Sequence, residues 1–311
     1  MASVFSEIDI RESYLKKRGR LLDILLLDKT TKKNIIWATD SYINYGKKFF
    51  SETKEIKSEL ITGNYSKLIQ PRASKTIDEQ KKRTREKAEV FTPLKIVDQM
   101  NKSIDAYSQS SGNWKDYIKE IKLEITCGEA PFIVTRYNPI SNGKLLNIKN
   151  RVGFLDRKLK MVNKFCKEKE DWIFWSKEAF KSSYGYEWQG DNLLIARENL
   201  LYTFIDYYED RFKIKPPIEL QEEIADIISW NIFQMDGLKY VIPMSCRHEI
   251  NVTEEVLNMF NEVHTPEKIE KNECEGCKYN RVGKHNGKYV KIMDWEQKKQ
   301  IRFADLNSIY I

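Results

Sequence analysis

Two groups of side chains in this sequence could do chemistry. The first lies near the C-terminus, where Cys274-Glu275-Gly276-Cys277 has the two-residue spacing that lets both thiolates reach one tetrahedral ion. Cys246 lies upstream, and the chain's three histidines, His248, His264 and His285, fall in the same polar stretch. Such a stretch has too few apolar residues to hold itself together. A Cys3His zinc site from Cys246, Cys274, Cys277 and His285 would do so; an exposed loop with incidental cysteines is the plainer alternative. The flanking Lys278, Arg281, Lys284, Lys288 and Lys291 would suit such a knuckle to a DNA backbone.

The second group sits where apolar runs end in small or acidic residues. Leu123-Glu124-Ile125-Thr126-Cys127-Gly128-Glu129-Ala130-Pro131 reads as a strand closing in a tight turn, with Gly128 admitting close backbone approach. Glu124 inside the strand is costly unless it is paired or binds something polar. Tyr184-Gly185-Tyr186-Glu187-Trp188 ends a second strand on an acid that could accept hydrogen bonds from two ribose hydroxyls, or simply face water. Asp236, before Gly237, could take the amino group of an adenine, or merely close an Asp-Gly turn.

These tips need elements to hold them. Pro93 is placed to start a helix through Ala106. Ile121–Thr126 reads as a strand followed by a helical stretch, Asp156–Cys166 and Asp171–Ser183 as helices, and Tyr184–Trp188 as a strand. Asn192–Phe212 reads as a long amphipathic helix and Ala225–Gln234 as a buried strand. This alternation predicts a parallel sheet with covering helices, and ligands in such sheets bind beyond the carboxyl ends of the strands. Before it, Arg20–Asp28 and Asn34–Asp40, split by the polar Lys29–Lys33, read as a β-hairpin. Lys75–Lys87 reads as an exposed helix or linker, and Lys288–Met293 and Gln300–Leu306 as terminal strands. The expected division is a basic N-terminal region over 1–87, an α/β domain over 88–243 and a polar segment over 244–311.

Hydrophobic residues make up 41% and charged residues 32% of the 311, a composition of folded chains. No apolar run approaches the roughly 20 residues that span a bilayer, and the N-terminus lacks a signal-type apolar core. Five unevenly spaced cysteines argue against a disulfide framework and for a reducing compartment, so a cytoplasmic protein is expected. Residues 1–90 carry 20 Lys and Arg against 13 Asp and Glu. That suggests a nucleic-acid contact, although a solvated lysine-rich surface fits equally.

Taken in order, and with Ala88-Glu89-Val90-Phe91-Thr92-Pro93 ahead of them, these segments resemble the adenine-specific DNA methyltransferases of restriction–modification systems. More narrowly, they resemble the proteins named restriction endonuclease subunit M, over about residues 20–306. The resemblance implies a Rossmann-like α/β domain that binds S-adenosylmethionine. It implies that Phe91, Thr92 and Pro93 cradle the methionine end, that Glu124, Thr126, Cys127, Gly128, Glu129 and Ala130 form the first cofactor loop, and that Glu187, beside Trp188, binds the ribose. It assigns the adenine to Asp236.

One part of the family pattern is missing. Methylating an adenine amine requires a flipped base, which the family holds with Asn or Asp, two prolines and an aromatic residue. Asn138-Pro139-Ile140 lies too early and lacks a ring, and Lys215-Pro216-Pro217-Ile218 starts with a donor. Asp294-Trp295 offers an acceptor and a ring without the prolines, and more often such a pair is a strand-end acid and a packed tryptophan. The expectation is therefore a cofactor-binding subunit of a restriction–modification or phage-defence system, acting on double-stranded DNA and completed by a second protein. The alternative is a catalytically inactive DNA-binding or regulatory module. Cys127 reads as small and buried, and Trp172, Trp175 and Phe180 as core rather than base-stacking rings.

Overall fold

The computed structural model describes residues 19–87, 92–107, 112–138, 144–247, 249–251 and 270–309. Phe91, His248 and His264 lie outside the described residues. The chain is mixed α/β. Three parallel strands, β1 (Lys122–Glu124), β2 (Ser183–Glu187) and β3 (Ile232–Gln234), form a sheet with β2 in the centre. Leu123 stands opposite Tyr184, and Tyr186 opposite Phe233. Two further hydrogen bonds carry the ladder past the strand ends, from Cys127 N–H to Tyr186 O (2.8 Å) and from Met235 N–H to Glu187 O (3.0 Å).

Helices make the crossovers. α1 (Gly19–Leu26), α2 (Ile77–Lys87), α3 (Leu94–Ala106) and α4 (Trp114–Lys119) precede or flank β1. α5 (Phe154–Phe165) and α6 (Lys169–Lys181) link β1 to β2, and α7 (Gly190–Phe212) and α8 (Ile218–Asn231) link β2 to β3. The expected start of α3 is found: Pro93 occupies its N-cap.

α7 is buried without a break from Gly190 to Phe204, so it runs through the core rather than along its surface. Its Arg197 is fully buried and donates to the carbonyls of Leu25, Leu27, Ser229 and Ile232. One guanidinium thus satisfies carbonyls at the ends of α1 and α8, where a cation is favoured.

One apolar cluster on the helical side of the sheet contains Leu21, Leu22, Leu25 and Leu26 together with Ile118, Leu159, Trp172, Leu194, Phe204 and Ile228. The opposite face carries Tyr184, Tyr186 and Phe233. It is covered by Ile242, Val290 and Ile292, residues near or in the antiparallel hairpin of β6 (Lys291–Asp294) and β7 (Lys299–Arg302). A shorter antiparallel pair, β4 (Glu249–Asn251) with β5 (Glu270–Asn272), precedes the small helix α9 (Glu275–Tyr279).

Three sequence expectations are corrected. Arg20–Leu26 is helical, not the first strand of a hairpin. Its four leucines at 21, 22, 25 and 26 share one helical face, which packs against α8 and α7, and an apolar run this short does not reveal its own period. The polar turn that follows does form, with the Asp28 carboxylate accepting from the Thr30 and Thr31 N–H groups, but Asn34–Asp40 makes only isolated bridges. Residues 225–231 continue α8, and only Ile232–Gln234 is strand; burial on every side hides the helical period. No helix follows Cys127 among the described residues before the short 3-10 turn at Ile148–Asn150, because positive φ at Thr126, Gly128 and Ala130 is incompatible with one. No helix of the described residues is long and apolar enough to cross a membrane.

Candidate functional site

Beyond the carboxyl ends of β1 and β2 lies a cavity of about 900 Å³, within the range of small-molecule sites (roughly 300–1,000 Å³). Of the residues singled out in sequence, Thr92, Glu124, Thr126, Cys127, Gly128, Glu129, Glu187 and Trp188 line it.

The turn after β1 shapes its floor. Thr126, Gly128 and Ala130 take φ of 47°, 55° and 62°, a conformation costing about 1–3 kcal/mol at each non-glycine. Protein carboxylates hold it in place. Gly128 N–H donates to Glu187 Oε2 (2.8 Å), and Glu124 accepts from Phe132 and Ile133 N–H (3.3 and 3.1 Å). Glu129 accepts from Arg72 N–H (2.6 Å) and from the Tyr137 hydroxyl. These N–H groups are therefore already engaged, which distinguishes the turn from a phosphate-binding loop.

Glu187 also accepts from Gln189 N–H (3.1 Å). Burial raises its pKa, against the pull of these backbone donors. Burial likewise pushes Glu124 well up, and Cys127 with it, which disfavours the reactive thiolate.

The charge of the wall is one-sided. Glu52, Glu124, Glu129 and Glu187 line the cavity, and among the described residues no lysine or arginine does. Two buried carbonyl oxygens of residues on the same wall, Gln189 Oε1 and Asn101 Oδ1, have no hydrogen-bond partner among the described residues. An unmet buried acceptor costs about 1–3 kcal/mol. The sequence reading missed Asn101 and Gln189 because only burial distinguishes them from other amides.

Asp236 is not brought to this cavity. Its carboxylate accepts from Leu238 and Lys239 N–H (3.0 and 3.2 Å) and pairs with Lys239 (3.6 Å), closing the turn that the plainer reading foresaw. Ala130 is buried beneath the loop, and Pro93 serves as helix cap; neither lines the cavity.

Asp294 and Trp295 line a separate cavity of about 420 Å³ that shares Leu123 with the first. Asp294 accepts from Gln297 N–H (2.8 Å), and the Trp295 indole donates to Asn231 Oδ1 (2.8 Å). They behave as a strand-end acid and a packed ring. Trp172 and Phe180 are core as expected, whereas Trp175 is only half-buried, beside exposed Phe174.

The second site is the cluster of Cys246, Cys274, Cys277 and His285, whose ligand atoms all lie within 4.8 Å of one another. The three Sγ atoms stand 3.7, 3.7 and 3.6 Å from His285 Nδ1. Bond lengths of about 2.3 Å to sulfur and 2.0–2.1 Å to nitrogen at tetrahedral angles require roughly 3.6 Å. These residues could therefore hold one metal ion.

The backbone supports the arrangement. Asn286 N–H donates to Cys274 Sγ (3.2 Å). Gly276 lies so close to the His285 ring that a Cβ there would stand 2.6 Å from it. Burial opposes the Cys274 thiolate, but N–H groups of Asn286 and Cys277 and the His285 ring bring its pKa down to about 6. Cys246 is pushed up to about 12, by burial and by sharing hydrogen bonds with the other thiols. No family model, curated protein or solved structure matches this chain.

Proposed function

We propose that this chain is an S-adenosylmethionine-binding subunit related to adenine-specific DNA methyltransferases, its three-stranded sheet being a reduced Rossmann-like core. The observation that carries the reading is the strand-tip cavity, lined by four glutamates and, among the described residues, by no lysine or arginine. A dinucleotide or nucleoside triphosphate would place phosphates against these acids. S-adenosylmethionine has no phosphate, sets a sulfonium and an ammonium group against a single carboxylate, and offers donors from ribose, adenine and amine. Glu187 would receive the ribose hydroxyls, its Gly128 bond keeping the carboxylate aimed across the first turn.

On this reading the base-holding motif comes from a second polypeptide, since Asp294 and Trp295 are engaged elsewhere and do not line the cavity. Double-stranded DNA is the proposed substrate of the completed complex. The cysteine–histidine cluster is assigned zinc, three thiolates and an imidazole being a closed structural set with no open position.

Calorimetry with S-adenosylmethionine, S-adenosylhomocysteine and ATP tests this. Binding of the first two but not ATP is expected, weakened about tenfold or more by Glu187→Ala. Failure of millimolar S-adenosylmethionine to bind, or equal binding of ATP, would overturn it. Labelled methyl transfer to DNA, with the chain alone and with the products of adjacent genes, tests the need for a partner. Transfer by the chain alone would remove that part of the reading.

A further inference from the structure

Away from both sites, α4, α5 and α6 bring four aromatic rings into one row at the surface. Trp114, the first residue of α4, stacks on Phe165 at the end of α5, with centroids 5.3 Å apart and planes inclined by 7°. Trp114 then meets Trp175 of α6 edge-on at 4.9 Å, and Trp175 meets Phe174 at 5.2 Å. Phe165 and Phe174 are 41% and 52% exposed, a large outlay of apolar surface for rings that could have been turned inward as Trp172 is.

Three exposed lysines stand over the row. Lys115 Nζ lies 5.8 Å from the Trp114 ring and 5.4 Å from Trp175, Lys119 Nζ 5.9 Å from Trp175, and Lys164 Nζ 5.1 Å from Phe165. None of the three is in a salt bridge among the described residues. The placement of Trp114 is fixed locally, since the Asn113 side chain caps α4 by accepting from Lys115 N–H (3.0 Å).

We infer that this face binds single-stranded nucleic acid, bases stacking on Phe165, Phe174 and the exposed parts of Trp114 and Trp175 while Lys115, Lys119 and Lys164 meet the phosphates. Exposed rings alternating with unpaired cations are what such a strand requires. A duplex hides its base faces, so it could use only the lysines. An apolar peptide would use only the rings and would leave the three ammonium groups without a counter-charge. The inference does not rest on the methyl-donor reading.

Fluorescence anisotropy of a labelled oligo-dT, read together with quenching of intrinsic tryptophan, tests it. Saturable binding with quenching is expected, weaker for the matching duplex, with log affinity falling against log salt at a slope of about −2 for three phosphate contacts. Phe174→Ala, at an exposed position, should cost about tenfold, and the triple change Lys115→Ala, Lys119→Ala, Lys164→Ala should flatten the salt dependence. Circular dichroism checks that these variants stay folded. In Trp114→Phe the quenching should shrink while binding persists. Unchanged affinity in folded Phe174→Ala and triple-lysine variants would place any binding elsewhere and overturn the proposal, as would tighter binding of the duplex, or binding of an apolar peptide instead of the oligonucleotide.

Discussion

At the cysteine–histidine cluster four side chains converge on one point, and nearly everything the site can do follows from their identity and separation. At the strand tips the acids turn partly into the protein. Glu124 and Glu129 are taken up by the chain's own donors, and Glu187 serves both Gly128 and the cavity. The first site is local chemistry, four side chains that could hold one metal ion within a polar segment. The second is long-range architecture whose chemistry is set by burial. Its foundations reach well beyond its lining: Asp191, fully buried next to Gly190 at the start of α7, accepts from Tyr42 and Arg83 (both 2.8 Å).

Removing the metal should have the largest effect, because binding free energy at such sites is about 10–16 kcal/mol and is coupled to folding. Mass spectrometry should find one ion per chain, lost in Cys274→Ser or under chelation at acid pH. Limited proteolysis should then open residues 270–302 while the core around β1–β3 stays protected. Equal protection with and without metal would mean the cluster organises nothing, and the contrast with the strand tips would fail.

Next comes Arg83→Ala, which leaves Asp191 buried without its cation and should cost about 3 kcal/mol in chemical denaturation. The sign of its pH dependence is fixed. Burial raises the Asp191 pKa, but Arg83, Lys75 and Tyr42 together hold it below the ordinary aspartate value. The stabilisation is therefore complete above that value and is lost as pH falls through the lower folded one. In the variant this acid-side loss should shrink, because without Arg83 the folded pKa of Asp191 rises back towards the ordinary value.

Glu187→Gln should be smaller in stability and visible in binding, weakening S-adenosylmethionine about tenfold, since a charge-assisted hydrogen bond becomes a neutral one. In the unmodified protein, affinity for this cation should fall on acidification at a pH above the ordinary glutamate range, about 4.3, because burial raises the Glu187 pKa. Calorimetry across pH 4–8 reads it. An affinity flat through that window would remove Glu187 from the site.

The smallest effect belongs to Asp236→Asn, which touches a turn outside the cavity. Ligand affinity should stay within about twofold, and stability should fall by about 1 kcal/mol. A large loss of binding would show that the Asp236 turn rearranges to reach the ligand.

Much of this was legible beforehand where a local rule forced the outcome. Pro93 capped its helix, Gly128 took the left-handed turn, and the Cys-x-x-Cys spacing brought Cys274 and Cys277 to one point. Legibility failed where the deciding partner was distant in sequence. Leu21–Leu26 became a helix because α7 and α8 offered a groove for one face, and Asp236 was retained by its own turn rather than a ligand.

The residues alone thus determined the chemical repertoire: a soft tetrahedral donor set, acids at strand ends, and no recognisable base-holding motif. Only the tertiary structure decided which of those acids the chain's own donors take up, that Asn101 and Gln189 are left with unmet acceptors, and that Phe174 is exposed beside a half-buried Trp175 under Lys115 and Lys119. The physical reason is that a side chain's functional groups are fixed by its identity, whereas its desolvation and its partners depend on segments tens to hundreds of residues away.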